Sequence, residues 1–329
     1  MTRVLHIDTS TEWRGGQRQL ELLLQARPSD AWAGVPDGPL AQRIGPPLVP
    51  LRAGQHPLNV WTLRQCKDWP VVAAHTPHSA MVALLAGQRT VIHRRVDFVP
   101  SAWKYRRAEH VIAVSQAVAS IMRALGVDAA RLDVVPDGVA AVSGAADPRW
   151  LQAPGPRFGC VGALVEHKGH RVAIDAMKQL PGSLFIAGEG PLRAALSAQI
   201  ARLGLADRVH LIGQLPDVAG FLSAIDVFVH PSVEEGMGQA VVEAMSAGCR
   251  IVASAAGGIP EVLADTGVLV APGDADALAS GMRAALLSPV GVGVARAAQF
   301  SAQRMTEATS RVYEKVLRRI NSPFPQISQ

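Results

Sequence analysis

Residues 225–248 read Ile-Asp-Val-Phe-Val-His-Pro-Ser-Val-Glu-Glu-Gly-Met-Gly-Gln-Ala-Val-Val-Glu-Ala-Met-Ser-Ala-Gly. The apolar run Ile225–Val229 predicts a buried strand that ends before Pro231. A glycine-containing turn then carries the carboxylate of Glu235, and the helix after it carries that of Glu243. The free N–H groups at such a helix N-terminus favour an anion, and glycines let it approach the backbone. Because a carboxylate beside an anion needs neutral hydroxyl partners, the run predicts a site for a nucleotide-diphosphate sugar.

Strand-like and helix-like segments alternate on both sides of this run. The strands predicted in the first half lie near Val4–Asp8, Val71–Ala74, Val91–His93, Val111–Val114 and Leu132–Val135. Those predicted in the second half lie near Phe158–Val161, Leu184–Ala187, Val209–Ile212, Val227–His230, Ile251–Ala253 and Val268–Val270. Apolar strands that alternate with helices indicate parallel sheets covered on both faces. The fold class expected is α/β, with two Rossmann-like parallel-sheet domains.

The segment Ala140–Pro156 is rich in Ala, Gly, Ser and Pro and is the predicted linker. It divides the chain into a domain over residues 1–145 and a domain over residues 146–310. The end of a final helix, predicted near Ala295–Ile320, and a loose tail then fill residues 311–329. Open parallel sheets bind ligands beyond the carboxyl ends of their strands, so we expect the ligand in a central cleft that the two domains face.

Composition narrows the class of function. The chain has 329 residues, of which 49% are hydrophobic and 18% charged, enough material for two cores. Aromatic residues make up only 5%, which argues against stacking on nucleic acid, and no nucleic-acid partner is expected. The net charge of +5 suits anionic small molecules or an anionic membrane surface.

Cysteine usage and the N-terminus point to the cytoplasm. Cys66, Cys160 and Cys249 lie far apart without CxxC spacing, so neither disulfides nor structural zinc are expected. The segment Met1–Asp8 is too short and polar for a signal peptide and predicts a first strand. No run of about 18 uncharged apolar residues exists, so any contact with the inner face of the cell membrane would be peripheral.

Three further turns resemble the turn at Glu235. Lys168-Gly169 precedes a predicted helix, where Lys168 is either a phosphate contact or an ordinary exposed lysine. Gly188-Glu-Gly190-Pro191 follows a strand, but the third glycine of a dinucleotide fingerprint is absent, which argues against an oxidoreductase. Gly257-Gly258 enters another helix. Four such turns at corresponding strand ends favour a shared ligand site over isolated tight turns.

Together these motifs resemble those of the family 4 glycosyltransferases, which are two-domain enzymes of the GT-B type. The similar elements are the EX7E pattern of Glu235 and Glu243, Gly162-x-Leu164 with Lys168-Gly169, Gly188-x-Gly190-Pro191, Pro231-Ser232 and Gly257-Gly258-x-Pro260-Glu261. The first half is similar more loosely through Gly15-Gly16, His75-Thr-Pro-His78, Arg94-Arg95-Val-Asp-Phe98 and Val135-Pro-Asp-Gly138.

The resemblance implies a retaining transfer from a nucleotide-diphosphate sugar, with no cofactor and no bound metal. Glu235 would bind hydroxyls of the donor sugar, and Lys168 would neutralise the diphosphate. Glu243 would bind the nucleotide ribose, and the backbone at 213–216 would hold the base. The other implied donor contacts are Gly188, Gly190, Gly213, Gly236, Met237 and Gly238.

On the acceptor side, the resemblance implies that Gly15 and Gly16 let the first domain approach the donor phosphates and the acceptor. His75, implied as catalytic, or His78 would lie beside the acceptor, although each is equally compatible with a structural histidine. Arg94 would contact the acceptor or a phosphate. The acceptor expected is a cell-envelope glycan or lipid.

One position departs from the family pattern. Members of the family carry Gly-Arg-Leu where this chain has Gly162-Ala163-Leu164. Loss of a bidentate phosphate donor weakens transition-state stabilisation by roughly 2–4 kcal/mol unless another group, such as Arg94, His167 or Arg193, replaces it. A non-catalytic nucleotide-sugar-binding homologue therefore stays open as an alternative. A nucleotide-sugar epimerase of similar architecture is a separate alternative that does not depend on this position.

Overall fold

A computed structural model describes residues 3–99 and 101–322 of the chain. They form two units: the first runs to Gly138 and resumes at Ala302, and the second covers Val139–Ser301. The strands are β1 (Leu5–Asp8), β2 (Ala31–Gly34), β3 (Val49–Pro50), β4 (Val72–Ala74), β5 (Thr90–Arg94), β6 (His110–Ala113), β7 (Leu132–Val134), β8 (Arg157–Val161), β9 (Ser183–Ala187), β10 (Val209–Gly213), β11 (Val227–His230), β12 (Arg250–Ser254) and β13 (Val268–Val270).

Helices connect the strands in both units. They are α1 (Gly15–Ala26), α2 (Pro39–Ile44), α3 (Pro57–Arg64), α4 (Pro77–Leu85), α5 (Ala102–Arg107), α6 (Gln116–Ala124), α7 (Pro148–Leu151), α8 (His170–Ala176), α9 (Arg193–Arg202), α10 (Ala219–Leu222), α11 (Gln239–Ser246), α12 (Ile259–Leu263), α13 (Ala275–Leu286), α14 (Val294–Ala297) and α15 (Ala302–Asn321). Within the described residues, no helix is both long and apolar enough to cross a membrane.

The first unit is built on a seven-stranded parallel sheet in the order β3-β2-β1-β4-β5-β6-β7. One face packs against α1 and α15, with Leu23 and Tyr313 in that core. The other face packs against α3 and α4 through Leu63 and Val82. The strand order reverses between β1 and β4, which is where open parallel sheets bind their ligands.

The second unit is built on a six-stranded parallel sheet in the order β10-β9-β8-β11-β12-β13. Its core lies against α8 and α13 and includes Phe158, Ile174 and Met282. Gly159 in β8 leaves room for the Ile225 side chain, since a Cβ at this position would come within 2.6 Å of it. The order reverses between β8 and β11. The two predicted Rossmann-like parallel-sheet domains are therefore confirmed.

The unit boundaries differ from the predicted ones at 145 and 310. Val139 pairs with Ser301 in a parallel bridge, and the Val139 amide donates to the Phe300 carbonyl at 2.8 Å. The chain thus enters the second unit after Gly138 and leaves it at Ser301, where extended backbone divides the predicted helix Ala295–Ile320. The helix after the break, α15, joins the first unit because its apolar side completes that core. The predicted tail beyond residue 322 lies outside the described residues.

Candidate active site

Two functional residues predicted in the second unit, Lys168 and Glu235, lie at the reversal of its strand order. The loop after β8 ends in a 3-10 turn, Glu166–Lys168, and the loop after β11 carries Glu235. The Val233 amide donates to the His167 carbonyl at 2.8 Å and joins the two loops. The structure therefore brings Lys168 and Glu235 together at the carboxyl edge of the sheet.

Lys168, His230 and Glu235 form a compact charged cluster at this edge. The Lys168 Nζ lies 2.5 Å and the His230 Nε2 lies 3.0 Å from the same Glu235 carboxylate oxygen. Burial opposes ionisation of Glu235, but the His230 hydrogen bond and the Lys168 charge outweigh it and hold the pKa of this carboxyl well below its usual range. The Glu235 side chain is 13% exposed and that of Lys168 is 22% exposed. The cluster thus presents an ionised acceptor and a cation to a ligand.

Gly169 explains how Lys168 reaches this position. Its φ of 66° is left-handed, and a Cβ at this position would overlap the Pro231 carbonyl. Only glycine therefore allows the loop after β8 to lie directly on the loop after β11.

The turn between Glu235 and α11 supplies backbone rather than side chains. Gly236, Met237 and Gly238 are buried, and Gly238 precedes α11 with a left-handed φ of 91°. The Gly258 amide donates to the Glu235 carbonyl at 3.0 Å, so the predicted fourth turn supports the same site. Glu243 lies in the second turn of α11 and is 8% exposed. The predicted donor contacts of these residues are compatible with this geometry.

Gly188 and Gly190 allow the loops after β8 and β9 to lie in close contact. A Cβ on Gly188 would overlap the Gly162 carbonyl, and one on Gly190 would come 2.6 Å from the Leu164 carbonyl. Gly213 ends β10 with a left-handed φ of 77°. These contacts give all three glycines a structural reason, while their contact with a donor stays a prediction.

Ala163 lies exposed between these loops, at the position of the family arginine. Its carbonyl accepts a hydrogen bond from the His170 Nε2 at 3.1 Å, and burial lowers the pKa of His170 to about 4. Arg193, one of the suggested substitutes, pairs with Glu189 at 2.9 Å. A pocket of about 520 Å³ adjoins the Lys168 turn and is lined by Glu166, His167, Arg171 and Glu234, among others.

The corresponding edge of the first unit holds a buried stack of three histidines. The ring centroids of His6 and His75 lie 5.2 Å apart, and those of His75 and His93 lie 4.4 Å apart. The His6 Nε2 lies 3.1 Å from the Asp30 carboxylate, and the His75 Nε2 lies 2.9 Å from the His6 Nδ1. His6 therefore donates to Asp30 and accepts from His75, which fixes both rings as Nε2–H tautomers.

Arg95 completes this network at the sheet edge. Its guanidinium donates to the His75 Nδ1 at 3.3 Å and to the His93 Nδ1 at 3.4 Å, and its Nε lies 2.8 Å from Asp137. Burial is the main cause that lowers the pKa values of His75 and His93 well below the ordinary range. For His75 the neighbouring His93 ring comes next and the Arg95 charge after it, whereas for His93 the Arg95 charge comes next. Both rings are therefore neutral acceptors that position Arg95. These surroundings favour the structural alternative for His75.

The other predicted acceptor-side residues have different environments. Arg94 is 2% exposed, donates to the Tyr105 hydroxyl at 3.1 Å and to the Phe98 carbonyl, and its pKa is lowered by burial. This burial argues against the predicted contact of Arg94 with an acceptor or phosphate. His78 is exposed in the first turn of α4. Gly15 and Gly16 open α1 just beyond β1, as predicted.

Several residues of both sites were missed by the sequence reasoning. His230 belongs to residues 225–248, but its place at a strand end was the only indication of a functional role. His6 and His93 lie inside strands, where a single histidine on an apolar run carries no periodic signal. Arg95 and Asp137 meet only because β5 and β7 end at the same sheet edge. Among the described residues, no group of three or more His, Cys, Asp or Glu side chains is placed to hold a metal ion.

The fold and the charged cluster define a class of protein, an α/β fold with Lys168 and Glu235 paired at the carboxyl edge of its second sheet. Comparison with known proteins narrows that class. The model for glycosyl transferases group 1 matches residues 155–288, and the model for glycosyltransferase family 4 matches residues 22–141. A glycogen synthase of Mycobacterium tuberculosis is 31% identical over 291 residues, which cover 80% of this chain and 68% of that protein. The chain belongs to glycosyltransferase family 4.

Other relatives share less of their length with this chain. A 2-deoxystreptamine glucosyltransferase of Streptomyces kanamyceticus is 31% identical over 66% of this chain and 62% of its own length. A lipopolysaccharide core mannosyltransferase, LpsB, of Rhizobium meliloti is 30% identical over 50% of this chain and 53% of its own length. This chain therefore spans less than two thirds of either relative.

The fold is similar to that of Anabaena HepE crystallised with UDP and glucose. The TM-score is 0.80 at 22% identity, and the match covers 96% of this chain and 100% of that one. This likeness confirms the predicted GT-B fold class. The central cleft between the two domains stays a prediction.

Proposed function

We propose that the chain is a retaining glycosyltransferase that transfers a sugar from a nucleotide-diphosphate sugar to an acceptor. The observation that carries this proposal is the cluster of Lys168, His230 and Glu235 at the strand-order reversal of the second sheet. A cation for the diphosphate and an ionised carboxylate for sugar hydroxyls lie within hydrogen-bond distance of each other. Family membership and the implied roles of both residues support this assignment.

The chemistry proposed for this cluster is mainly electrostatic. As the bond between the sugar and the diphosphate breaks, negative charge builds on the departing phosphate, and Lys168 and the backbone before α11 stabilise it. Glu235, kept ionised by its surroundings, orients the sugar through its hydroxyls. The departing phosphate oxygen accepts the proton of the acceptor hydroxyl, and the new bond forms on the face that the phosphate leaves.

For the acceptor, we propose a cell-envelope glycan or lipid reached at the inner face of the cell membrane. The net positive charge of the chain supports an anionic surface, and the Rhizobium meliloti relative is named for the lipopolysaccharide core. UDP-glucose is the first donor to test, and UDP the first nucleotide to test for binding, because HepE was crystallised with each of them.

The test is a thermal-shift screen against nucleotide-diphosphate sugars, since a ligand that binds only the native state raises its stability. Lys168→Ala removes a charged hydrogen bond worth about 1.5–3 kcal/mol and should weaken donor binding roughly 10- to 150-fold. Lys178→Ala is the matched control, because Lys178 pairs with Asp175 away from the site and is half exposed. Equal donor affinity in both variants would refute the role of Lys168.

A non-catalytic nucleotide-sugar-binding protein is the second candidate, and Ala163 is the observation that favours it. Such a protein would bind the donor and lose affinity in Lys168→Ala, yet show no transfer with any donor and acceptor pair. An epimerase would convert the donor sugar without an acceptor. Measured product formation with and without acceptor therefore separates the three functions.

A further inference from the structure

The positive charge of the chain is concentrated in one segment. Residues 51–107 contain nine Lys and Arg but only Asp68 and Asp97 as acids, a net charge of +7. The remaining 23 Lys and Arg and 25 Asp and Glu give the rest of the chain a net charge of −2. The excess charge of the whole chain therefore comes from part of the first unit.

Exposed aromatic side chains are concentrated in the same segment. Among the described residues, the aromatic side chains classed as exposed are Trp61 at 64%, Phe98 at 51% and Trp103 at 39%. All three belong to residues 51–107. Scattered aliphatic side chains are ordinary on a protein surface, but exposed aromatic residues inside a basic segment indicate a binding surface.

Part of this segment forms one continuous surface on α3 and α4. Leu58, Trp61 and Arg64 lie three residues apart and so share one side of α3. The Arg64 guanidinium donates to the Leu85 carbonyl at 3.3 Å, which places exposed Leu85 beside the end of α3. A second bond, from the Gln88 Nε2 to the Leu63 carbonyl at 2.5 Å, fastens the turn after α4 to the same helix.

Two more basic residues lie just beyond the C-terminal ends of these two helices. Lys67 follows α3 and Arg89 follows α4, and both are exposed. Asp68 is the acidic residue nearest to them in sequence. We call the surface formed by Leu58, Trp61, Arg64, Lys67, Leu85 and Arg89 the α3–α4 patch. Arg64 also stabilises the α3 C-terminus through its charge, but that role does not account for exposed Trp61 and Leu85.

We propose that the α3–α4 patch docks the first unit on a bilayer surface that carries anionic lipids. Tryptophan rings lie at the level of lipid headgroups, and neighbouring leucines reach the acyl boundary. Lys and Arg side chains extend toward the headgroups and bind their phosphates. This inference deepens the proposed membrane contact and rests on it, whereas the donor site lies in the second unit and is tested separately.

Vesicle co-sedimentation tests the docking. The full chain should sediment with vesicles of phosphatidylglycerol and phosphatidylcholine, far less with phosphatidylcholine alone, and less as salt rises. Trp61→Ala should weaken binding at least about tenfold, since full burial of a large apolar side chain contributes ~1.5–3 kcal/mol, equivalent to roughly 10- to 150-fold. Lys67→Glu/Arg89→Glu should weaken it at least about 25-fold, at about fivefold per lost charge.

Matched controls come from the second unit. Leu287→Ala removes a side chain that is 88% exposed, and Arg202→Glu/Arg283→Glu changes the net charge by the same amount as the patch reversal. Both should bind vesicles like the wild type. The donor-induced thermal shift is measured for every variant. It shows whether the variant is folded, and it tests donor binding separately from vesicle binding.

Three outcomes would overturn the docking proposal. They are wild-type sedimentation by both patch variants, an equal loss in the control charge reversal, and no wild-type binding to anionic vesicles. In each case an unchanged donor-induced thermal shift would leave the proposed transferase activity standing. Saturable binding of the patch to an acidic protein, with no vesicle binding, would assign the surface to a protein partner instead.

Discussion

The two parallel sheets of this protein place very different chemistry at the point where their strand order reverses. In the second unit, the loops after β8 and β11 bring Lys168 and the ionised carboxylate of Glu235 together, both partly exposed, and His230 at the end of β11 bonds the same carboxylate. In the first unit, His6 lies inside β1 and His75 directly follows β4, and both rings are buried and neutral. The same topology therefore supports two different kinds of site. The edge in the second unit is suited to binding a charged ligand, whereas in the first unit the neutral histidine rings hold the Arg95 guanidinium in place.

The comparison teaches that a strand-end histidine is not by itself a catalytic signal. His75 lies at a position where ligands of parallel sheets bind, yet burial and two neighbouring rings keep it neutral and enclosed. Arg95, one residue beyond the predicted Arg94, is the basic group held at that edge. Its guanidinium is only 13% exposed but is supported on three sides.

The largest effect should come from Gly169→Ala, which alters the backbone that positions Lys168 in the second unit. The left-handed φ and the overlap with the Pro231 carbonyl should together destabilise the protein by about 3 kcal/mol or more. Gly204→Ala is the control, because Gly204 has the same φ of 66° and open space around its Cβ position. It should cost only about 1 kcal/mol. Equal losses in urea denaturation would show that the contact with Pro231 is unimportant.

Mild acid should destabilise the first unit before the second. A histidine with a lowered folded-state pKa binds its proton in the unfolded chain first, so stability is present above pH 6.5 and is lost below it. The pKa of His110, lowered to about 4 chiefly by burial, implies a loss of about 2 kcal/mol at pH 5.

His6, His75 and His93 shift in the same direction as His110. The second unit has His170 and the less buried His210 with lowered pKa values. Hydrogen exchange between pH 7 and 5 should therefore show the first unit losing protection before the second. The Glu235 carboxyl should stay ionised throughout this range, because its pKa is held well below the usual value. Loss of protection in both units at the same pH would contradict the expected difference between them.

The smallest effect is expected from Ala163→Arg at the charged edge. If another group already replaces the family arginine, transfer should change by less than about threefold. A gain of roughly 30-fold or more, equivalent to ~2 kcal/mol, would show that no substitute exists. The measurement is steady-state transfer with the donor found in the thermal-shift screen.

Much of the fold was predictable because parallel strands read as apolar runs. All six strands of the second sheet were located, and β11 matches its predicted bounds, Val227–His230. The strands β2 and β3 were missed because Ala31–Gly34 and Val49–Pro50 are short and contain Ala, Gly and Pro. The break at Ser301 was missed because helical residues continue on both sides of it.

The charged site was predictable to the extent that its residues lie in motifs at strand ends. Lys168 and Glu235 were identified from turns that precede helices, and the shared sheet edge brought them together. The histidine stack was not predictable, because it depends on which strands are neighbours. His6, His75 and His93 come from β1, the end of β4, and β5, and only the sheet order makes their rings adjacent.

The most direct measurement is the turnover of Glu235→Gln against Glu234→Gln, both assayed with the identified donor and acceptor. Glu235 is held by Lys168 and His230, whereas adjacent Glu234 is exposed. Loss of one preorganised electrostatic group should reduce turnover by about 100- to 1000-fold in Glu235→Gln, and Glu234→Gln should stay within about threefold of the wild type. Wild-type turnover in folded Glu235→Gln would contradict the assignment of the active site.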